Sequence, residues 1–271
     1  MQGTSRGSQL AAQERLETML AVAGTDPMAV GDALFAVTDL LDSSGSLRRA
    51  LTDPARSEHD KAALVVRLLE GKVEDVVVDL VAGLARSRWA RSRDLADTVE
   101  LLAASSVLVA AQQGGELDRV EDELFRFRRT IDADLPLRSA LTDPRASAQR
   151  KVALITALLQ AKVAPATLRL VRQAVTAPRG LHLDAALTAY GAVAARRREQ
   201  LVAHVVVAMP LDQAQRERLS AALRREYGRD VHLNVDVDPE VLGGVRVEIG
   251  DEVLDGTISR RLQDARRALS R

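Results

Sequence analysis

The sequence predicts a mainly α protein: two consecutive homologous helical bundles followed by a small α/β C-terminal module. Three observations predict it. One phrase is written twice, ninety residues apart: Leu47–Val73 laid on Leu137–Val163 gives 15 identities in 27 positions without a gap, the mark of a repeated supersecondary unit. Aromatic residues make up only 2% of the 271-residue chain while 46% is hydrophobic, so Ala, Leu and Val must fill the core, a mixture suited to closely packed helices. After Gln200 the apolar spacing changes to period two, which is strand grammar.

The first helix is expected at about 9–23. Asp26-Pro27 starts the second, to residue 43, because Asp caps a helix and Pro fits its first turn. A short helix at 47–51 stops at Asp53-Pro54, since the residue before proline avoids helical backbone. Ser57 then caps a helix over 58–71, and helices at 74–87 and 94–113 follow. The second copy repeats the order at 117–133, 137–141, 148–162, 166–177 and 184–199, with Asp143-Pro144 as its stop and Ser147 as its cap. A weaker echo joins "VGDALF" at Val30–Phe35 to "VEDELF" at Val120–Phe125. The offset lays helix 9–23 on the end of 94–113 and 94–113 on 184–199, so the helix ending at Gly114-Gly115 closes the first bundle and opens the second. The expected domains are 1–98, whose closing helix runs on to about 113, then 99–199 and 200–271.

In the last of these, Val231, Leu233, Val235 and Val237 share one face of a strand and His232, Asn234, Asp236 and Asp238 the other. Leu201–Ala208 and Val245–Gly250 also read as strands. Between the first two, Asp212 and Gln215 form a capping-box start for a helix to about Tyr227. A last helix at about 257–269 carries Ile258, Leu262, Ala265 and Leu269 as a stripe. Strand, helix, strand, strand, helix in about seventy residues is little chain for an independent core.

Composition narrows the function. Lys plus Arg and Asp plus Glu are 38 each, so the whole chain presents no excess positive field, which disfavours nucleic-acid or lipid-surface binding. There is no cysteine, which removes disulfides, thiolate nucleophiles and sulfur-ligated zinc. No stretch approaches the roughly 20 apolar residues of a membrane span, and the first twenty residues lack a signal-peptide apolar core, so a cytoplasmic protein is expected.

Motifs for chemistry are absent. His59, His182, His204 and His232 are scattered without acidic partners at metal spacing. "EGKVE" has Gly71-Lys72 but neither the earlier glycine nor the following hydroxyl of a phosphate loop, and reads as a helix end. "LGGVRVEIGDEVLDG" lacks the Gly-x-Gly-x-x-Gly order and reads as tight turns, with Gly250-Asp251 and Asp255-Gly256 as turn residues. "RSRWARSRD", Arg86–Asp94, with the only Trp, is the best nucleic-acid candidate; the competing reading tucks Trp89 against a helix. No cofactor is implied. The only four lysines, Lys61, Lys72, Lys151 and Lys162, pair across the repeat. Either their stems cover the ends of an apolar stripe, or they are a shared partner contact.

"VDPEVLGGVRVEIGDEVLDGTISRRLQDARRAL", Val237–Leu269, strongly resembles the end of the delta subunit of F-type ATP synthase, the oligomycin sensitivity-conferring protein of mitochondria. Asp238-Pro239, Gly243-Gly244, Gly250-Asp251, Asp255-Gly256-Thr257-Ile258 and Leu262 carry the resemblance, with Thr257 where the family often has Ser. "HVVVAMPLDQAQRERLSAAL" is similar to the family's strand, proline-leucine and helix. Common members have one six-helix bundle; two bundles resemble the longer delta subunits of high-GC Gram-positive bacteria. The resemblance implies a non-catalytic stator subunit at the cytoplasmic face of the cell membrane, attached to it only through the complex. It implies N-terminal helices of alpha subunits as partners of the N-terminal bundle and the b-type stalk subunit as partner of the C-terminal module. Gly243, Gly244, Gly250, Asp251, Asp255, Gly256, Ile258, Leu262 and Leu269 are its candidate stalk-contact residues, beside Arg260, Arg261, Arg266 and Arg267. A helical-repeat adaptor unrelated to ATP synthase, or a nucleotide-binding enzyme, would be the alternatives.

Overall fold

A computed structural model describes residues 3–177, 183–199, 201–227, 231–238, 241, 243–249 and 252–255. It divides into two compact units, one ending at Ala195 and the other starting at Arg196. The first unit opens with six helices: α1 (Gly3–Leu20), α2 (Pro27–Ser43), α3 (Gly45–Thr52), α4 (Glu58–Leu69), α5 (Asp75–Arg86) and α6 (Ser92–Gln113). Then come α7 (Leu117–Ala133), α8 (Leu135–Thr142), α9 (Ala148–Leu159), α10 (Pro165–Thr176) and α11 (Leu183–Glu199). Each boundary of α7 to α10 falls ninety residues after that of α2 to α5, as Pro27 to Leu117 and Arg86 to Thr176 illustrate. α11 follows α6 at nearly the same offset.

The local chemistry of starts and stops is repeated with the phrase. Ser57 Oγ accepts from the Asp60 amide at 3.1 Å and Ser147 Oγ from the Arg150 amide at 3.4 Å, satisfying helix-start donors in α4 and α9. Asp53 and Asp143, each before a proline, have extended backbone and fold their carboxylates onto the amides of Ala55 and Arg145. Asp26 caps α2 through the Met28 amide at 2.8 Å. α4 and α9 end two to three residues earlier than the periodicity suggests, because the chain turns left-handed at Gly71 (φ 69°) and Ala161 (φ 62°). α1 starts six residues earlier than expected. Its first turns are tied down by Ser5, fully buried, whose hydroxyl donates to Asp94 Oδ2 at 2.7 Å and accepts from the Ala90 amide at 2.9 Å.

The helices on both sides of residue 98 lie in one compact unit and share one continuous core. The physical reason is α6. Leu95, Val99, Leu102 and Leu108 are buried on it together with Ala96, Ala103, Ala104 and Val107, so apolar residues face inward all round the helix. An ordinary amphipathic helix serves one core; this one serves both copies.

The second unit carries β1 (Leu201–Val207), α12 (Gln213–Tyr227), β2 (Val231–Val237), β3 (Val245–Ile249) and β4 (Glu252–Asp255) in a sheet of order β2-β1-β3-β4. β1 and β2 are parallel, joined through α12, and β3 and β4 add antiparallel. α12 starts on the expected capping box: Gln215 N donates to Asp212 Oδ1 at 2.7 Å and Asp212 N to Gln215 Oε1 at 2.9 Å. Ala203, Val205 and Val207 of β1 pack with Leu223, Val231, Val247 and Ile249. Val237, expected on the inner face, is 47% exposed at the end of β2. β4 was not expected; its four residues between turn signals are too short to show a period. The helix expected at 257–269 lies outside the described residues.

Candidate functional site

The residues that sequence reading singles out do not gather into one place. Lys61 and Lys151 are each the fourth residue of their helices, α4 and α9, but Lys61 is buried (4% exposed) and Lys151 is half-buried at the edge of a groove. Lys72, exposed, donates from Nζ to the Leu68 carbonyl at 2.8 Å and so completes the end of α4. Lys162 is exposed. Gly243 and Gly244 have φ of 94° and 90° between β2 and β3, a backbone that side-chain-bearing residues avoid. The backbone of Asp255 pairs with Arg246 at the end of β4. Gly250, Asp251, Gly256, Ile258, Leu262 and Leu269 lie outside the described residues.

The Arg86–Asp94 segment does not offer a stacking platform. Trp89 is buried, and its Nε1 donates to the Leu84 carbonyl at 2.8 Å. Asp94, 1% exposed, takes Ser5 and lies 3.4 Å from Arg91. The segment ties α1 to the start of α6. Among the described residues no group of three His, Asp or Glu side chains gathers at metal-binding distance.

Polar contacts between the copies are concentrated on α2 and α10. The Arg169 guanidinium pairs with Asp32 and lies 4.3 Å from the centre of the Phe35 ring, and Gln173 Nε2 reaches Asp39 Oδ1 at 3.4 Å. Tyr190 on α11 donates to Glu100 on α6 at 2.7 Å, both buried. Within the second copy, Glu123 on α7 accepts from the Ala164 amide at 2.9 Å and Thr167 Oγ1 at 2.6 Å, capping α10 from outside its own sequence. The same carboxylate, with Glu116 adding to it, raises the pKa of Arg119 above the ordinary guanidinium value.

The two copies differ where their last helix meets the rest. In the first, α2 and α6 touch at Gly31: a Cβ there would lie 2.7 Å from Val107 Cγ2 and 3.2 Å from the Ala103 carbonyl oxygen. Ninety residues on, Glu121 replaces Gly31 and Arg197 replaces Val107, while Ala174 stands for Leu84. A groove of about 620 Å³ opens between α7, α8, α10 and α11, floored by Ile131, Leu141, Ala174 and Leu187 and edged by Arg138 and Lys151. A second hollow of about 180 Å³ adjoins it at Arg128 and Leu187 and lies between Leu124, Phe125 and Gly191. Sequence reading missed this contrast between the copies. The signal was available as the non-identical positions of the repeat.

Fold and surface together define a helical-repeat scaffold with a small strand module, whose features are grooves and buried ties. A family model described as "ATP synthase delta (OSCP) subunit" matches residues 99–269. The ATP synthase subunit delta of Streptomyces griseus subsp. griseus is 49% identical over 270 residues, covering 100% of both chains. Those of Streptomyces coelicolor and Kineococcus radiotolerans are 50% and 48% identical over 270 and 268 residues, covering 100% and 99% of this chain and 98% and 97% of theirs. A chain of the Toxoplasma gondii mitochondrial ATP synthase hexamer is 23% identical, covering 62% of this chain and 95% of that one, at a TM-score of 0.28, too slight a likeness to bear on the fold. This chain belongs to the ATP synthase delta (OSCP) subunit family. It is a non-catalytic stalk subunit of that complex. Among the described residues no helix is long and apolar enough to cross a membrane.

Proposed function

We propose that the chain ties the catalytic head to the b-type peripheral stalk in three parts, 1–98, 99–199 and 200–271, at the cytoplasmic face of the cell membrane. Held this way, the head resists the rotor, and torque changes catalytic sites instead of turning the whole head. The helical part takes N-terminal helices of alpha subunits in its grooves, as amphipathic helices are commonly received. The C-terminal module takes the end of the stalk subunit. The observation that carries this reading is the full-length identity to delta subunits, joined to a fold of two compact units with separate cores.

The division of labour is testable. Deleting residues 201–271 should leave head binding nearly intact and abolish stalk binding in pull-downs with separate head and stalk fragments. A truncated chain that still holds the stalk, or that loses the head, overturns the assignment. Membranes depleted of the chain should lose proton-driven ATP synthesis and regain it when the protein is added back. The isolated chain should show no saturable binding of ATP.

A further inference from the structure

The repeat places a lysine at the same point of two helices and gives it two surroundings. Lys61 on α4 is buried, whereas Lys151 on α9 stands half-buried at the edge of the 620 Å³ groove. Two substitutions between the copies fall where that groove opens. Leu84, buried near the end of α5 with Trp89 bonded to its carbonyl, has Ala174 as its counterpart on the groove floor, a methyl in place of an isobutyl group. Asp97 on α6 has Leu187 as its counterpart on α11, so an apolar wall replaces a carboxylate.

The charges around the groove do not cancel. Arg138 pairs with Asp132, and Arg128 lies 3.9 Å from Asp184, so both carboxylates of the lining already face a guanidinium. Lys151 has no ion pair among the described residues. Its ammonium is the surplus positive charge, set at the rim of a floor made by Ile131, Leu141, Ala174 and Leu187, all buried. An apolar trough with one unmatched cation fits a ligand that has an apolar body and one anionic end, and its volume is within the range of about 300–1,000 Å³ usual for small-molecule sites.

We propose that the groove of the second copy is a binding site for a free medium-chain carboxylic acid, a saturated chain of about ten to twelve carbons. The carboxylate meets Lys151 Nζ, and the chain lies over Leu141, Ile131 and Leu187. A carboxylate is specified because one ammonium matches one negative charge; a phosphate monoester would bring more negative charge than the single free cation of the lining can meet. The occupant comes from solution and not from a bilayer, since 38 basic and 38 acidic residues give the whole chain no net attraction to an anionic membrane surface. In the first copy burial closes the equivalent lysine to such a ligand. The site is independent of the head and stalk contacts proposed above.

The test is isothermal titration calorimetry of the full chain with decanoate, dodecanoate and dodecyltrimethylammonium, each below its micelle concentration. Dodecanoate should bind saturably at one site per chain, about tenfold more tightly than decanoate for its two further buried methylenes, and the cationic amphiphile should not bind. Lys151→Met keeps an unbranched apolar stem and should weaken dodecanoate about fivefold, as for the loss of one partly screened ion pair. Lys61→Met is the control and should leave the affinity unchanged. Ala174→Leu, which restores the side chain of the first copy, should abolish binding by filling the floor; if that variant fails to fold by circular dichroism, the contrast between the two lysine variants decides. The proposal is overturned by absence of saturable dodecanoate binding, by equal binding of the cationic amphiphile, or by an affinity indifferent to Lys151→Met. Retention of the chain on phosphatidylglycerol vesicles without binding of free dodecanoate overturns it in favour of a membrane surface.

Discussion

Gly31→Ala is the substitution that most directly tests how the shared helix is held. In an isolated helix the change would gain about 1 kcal/mol from propensity alone. In α2 the new methyl would stand 2.7 Å from Val107 Cγ2, 3.2 Å from the Ala103 carbonyl oxygen and 3.3 Å from the Val107 amide nitrogen. None of these atoms is the end of a flexible chain; two are backbone and one is a β-branched methyl held stiffly at χ1. The helices must therefore part, and overpacking of this kind costs roughly 1–3 kcal/mol. With backbone involved we take the upper end, which leaves a net loss of about 2 kcal/mol after the propensity gain. With a urea m-value of about 2–3 kcal/mol/M the midpoint should fall by ~0.7–1 M. Gly7→Ala in α1 is the control, because nothing lies within 4 Å of its Cβ position, and it should stabilise by about 0.5–1 kcal/mol. Urea unfolding followed by far-ultraviolet circular dichroism measures both. If Gly31→Ala stabilises the chain as Gly7→Ala does, the close approach of α2 and α6 is wrong.

Ala161→Gly should stabilise by about 1 kcal/mol, since Ala161 sits at φ 62° where its counterpart Gly71 is free of a Cβ penalty; a melting temperature that does not rise refutes this. Trp89→Phe should cost about 1 kcal/mol or more for the lost bond to the Leu84 carbonyl. The native Trp emission should be blue-shifted and shielded from iodide until unfolding; a solvent-like spectrum in the folded chain would contradict its burial. Arg169→Ala should cost about 1–2 kcal/mol, chiefly from the contact with Phe35, because Asp32 is 54% exposed and its ion pair is screened. Amide hydrogen exchange should then rise in α2 and α10 and stay unchanged in α4, and a uniform rise would point to global destabilisation instead.

The sequence made the repeat legible because its punctuation is local. Asp-Pro, the capping serines and the Asp212/Gln215 box act within three or four residues, and each is found bonded where it was expected. What acts across the fold was not legible. Ser5 extends α1 by bonding to Asp94, 89 residues away, and no periodicity contains that bond. β4 is four residues long and is specified by its pairing with β3. Lys72 and Lys162 are both exposed, but Lys61 is buried where Lys151 is half-buried, a difference that shared position and spacing do not show. Identity between repeats located the fold; departures from identity locate the surfaces.

A repeat array has two ends, and this chain treats them differently. At the first end, α1 stands where α6 would stand in a copy beyond it. The two α6 residues at the close approach to α2, Ala103 and Val107, correspond to Gln13 and Glu17, which bond to each other at 2.9 Å. Gly83 on α5, the counterpart of Gln173, is covered by the chain's own Arg15, whose guanidinium would meet a Cβ placed there. Gln13 also donates to Ser105 Oγ on α6 at 2.8 Å, so polar ties within the bundle stand where α6 offers an apolar close approach to α2. At the other end Phe125 is left half in water and Arg129 has no ion pair among the described residues. The second copy therefore keeps half-exposed the aromatic whose counterpart in the first, Phe35, is buried beneath the Arg169 guanidinium.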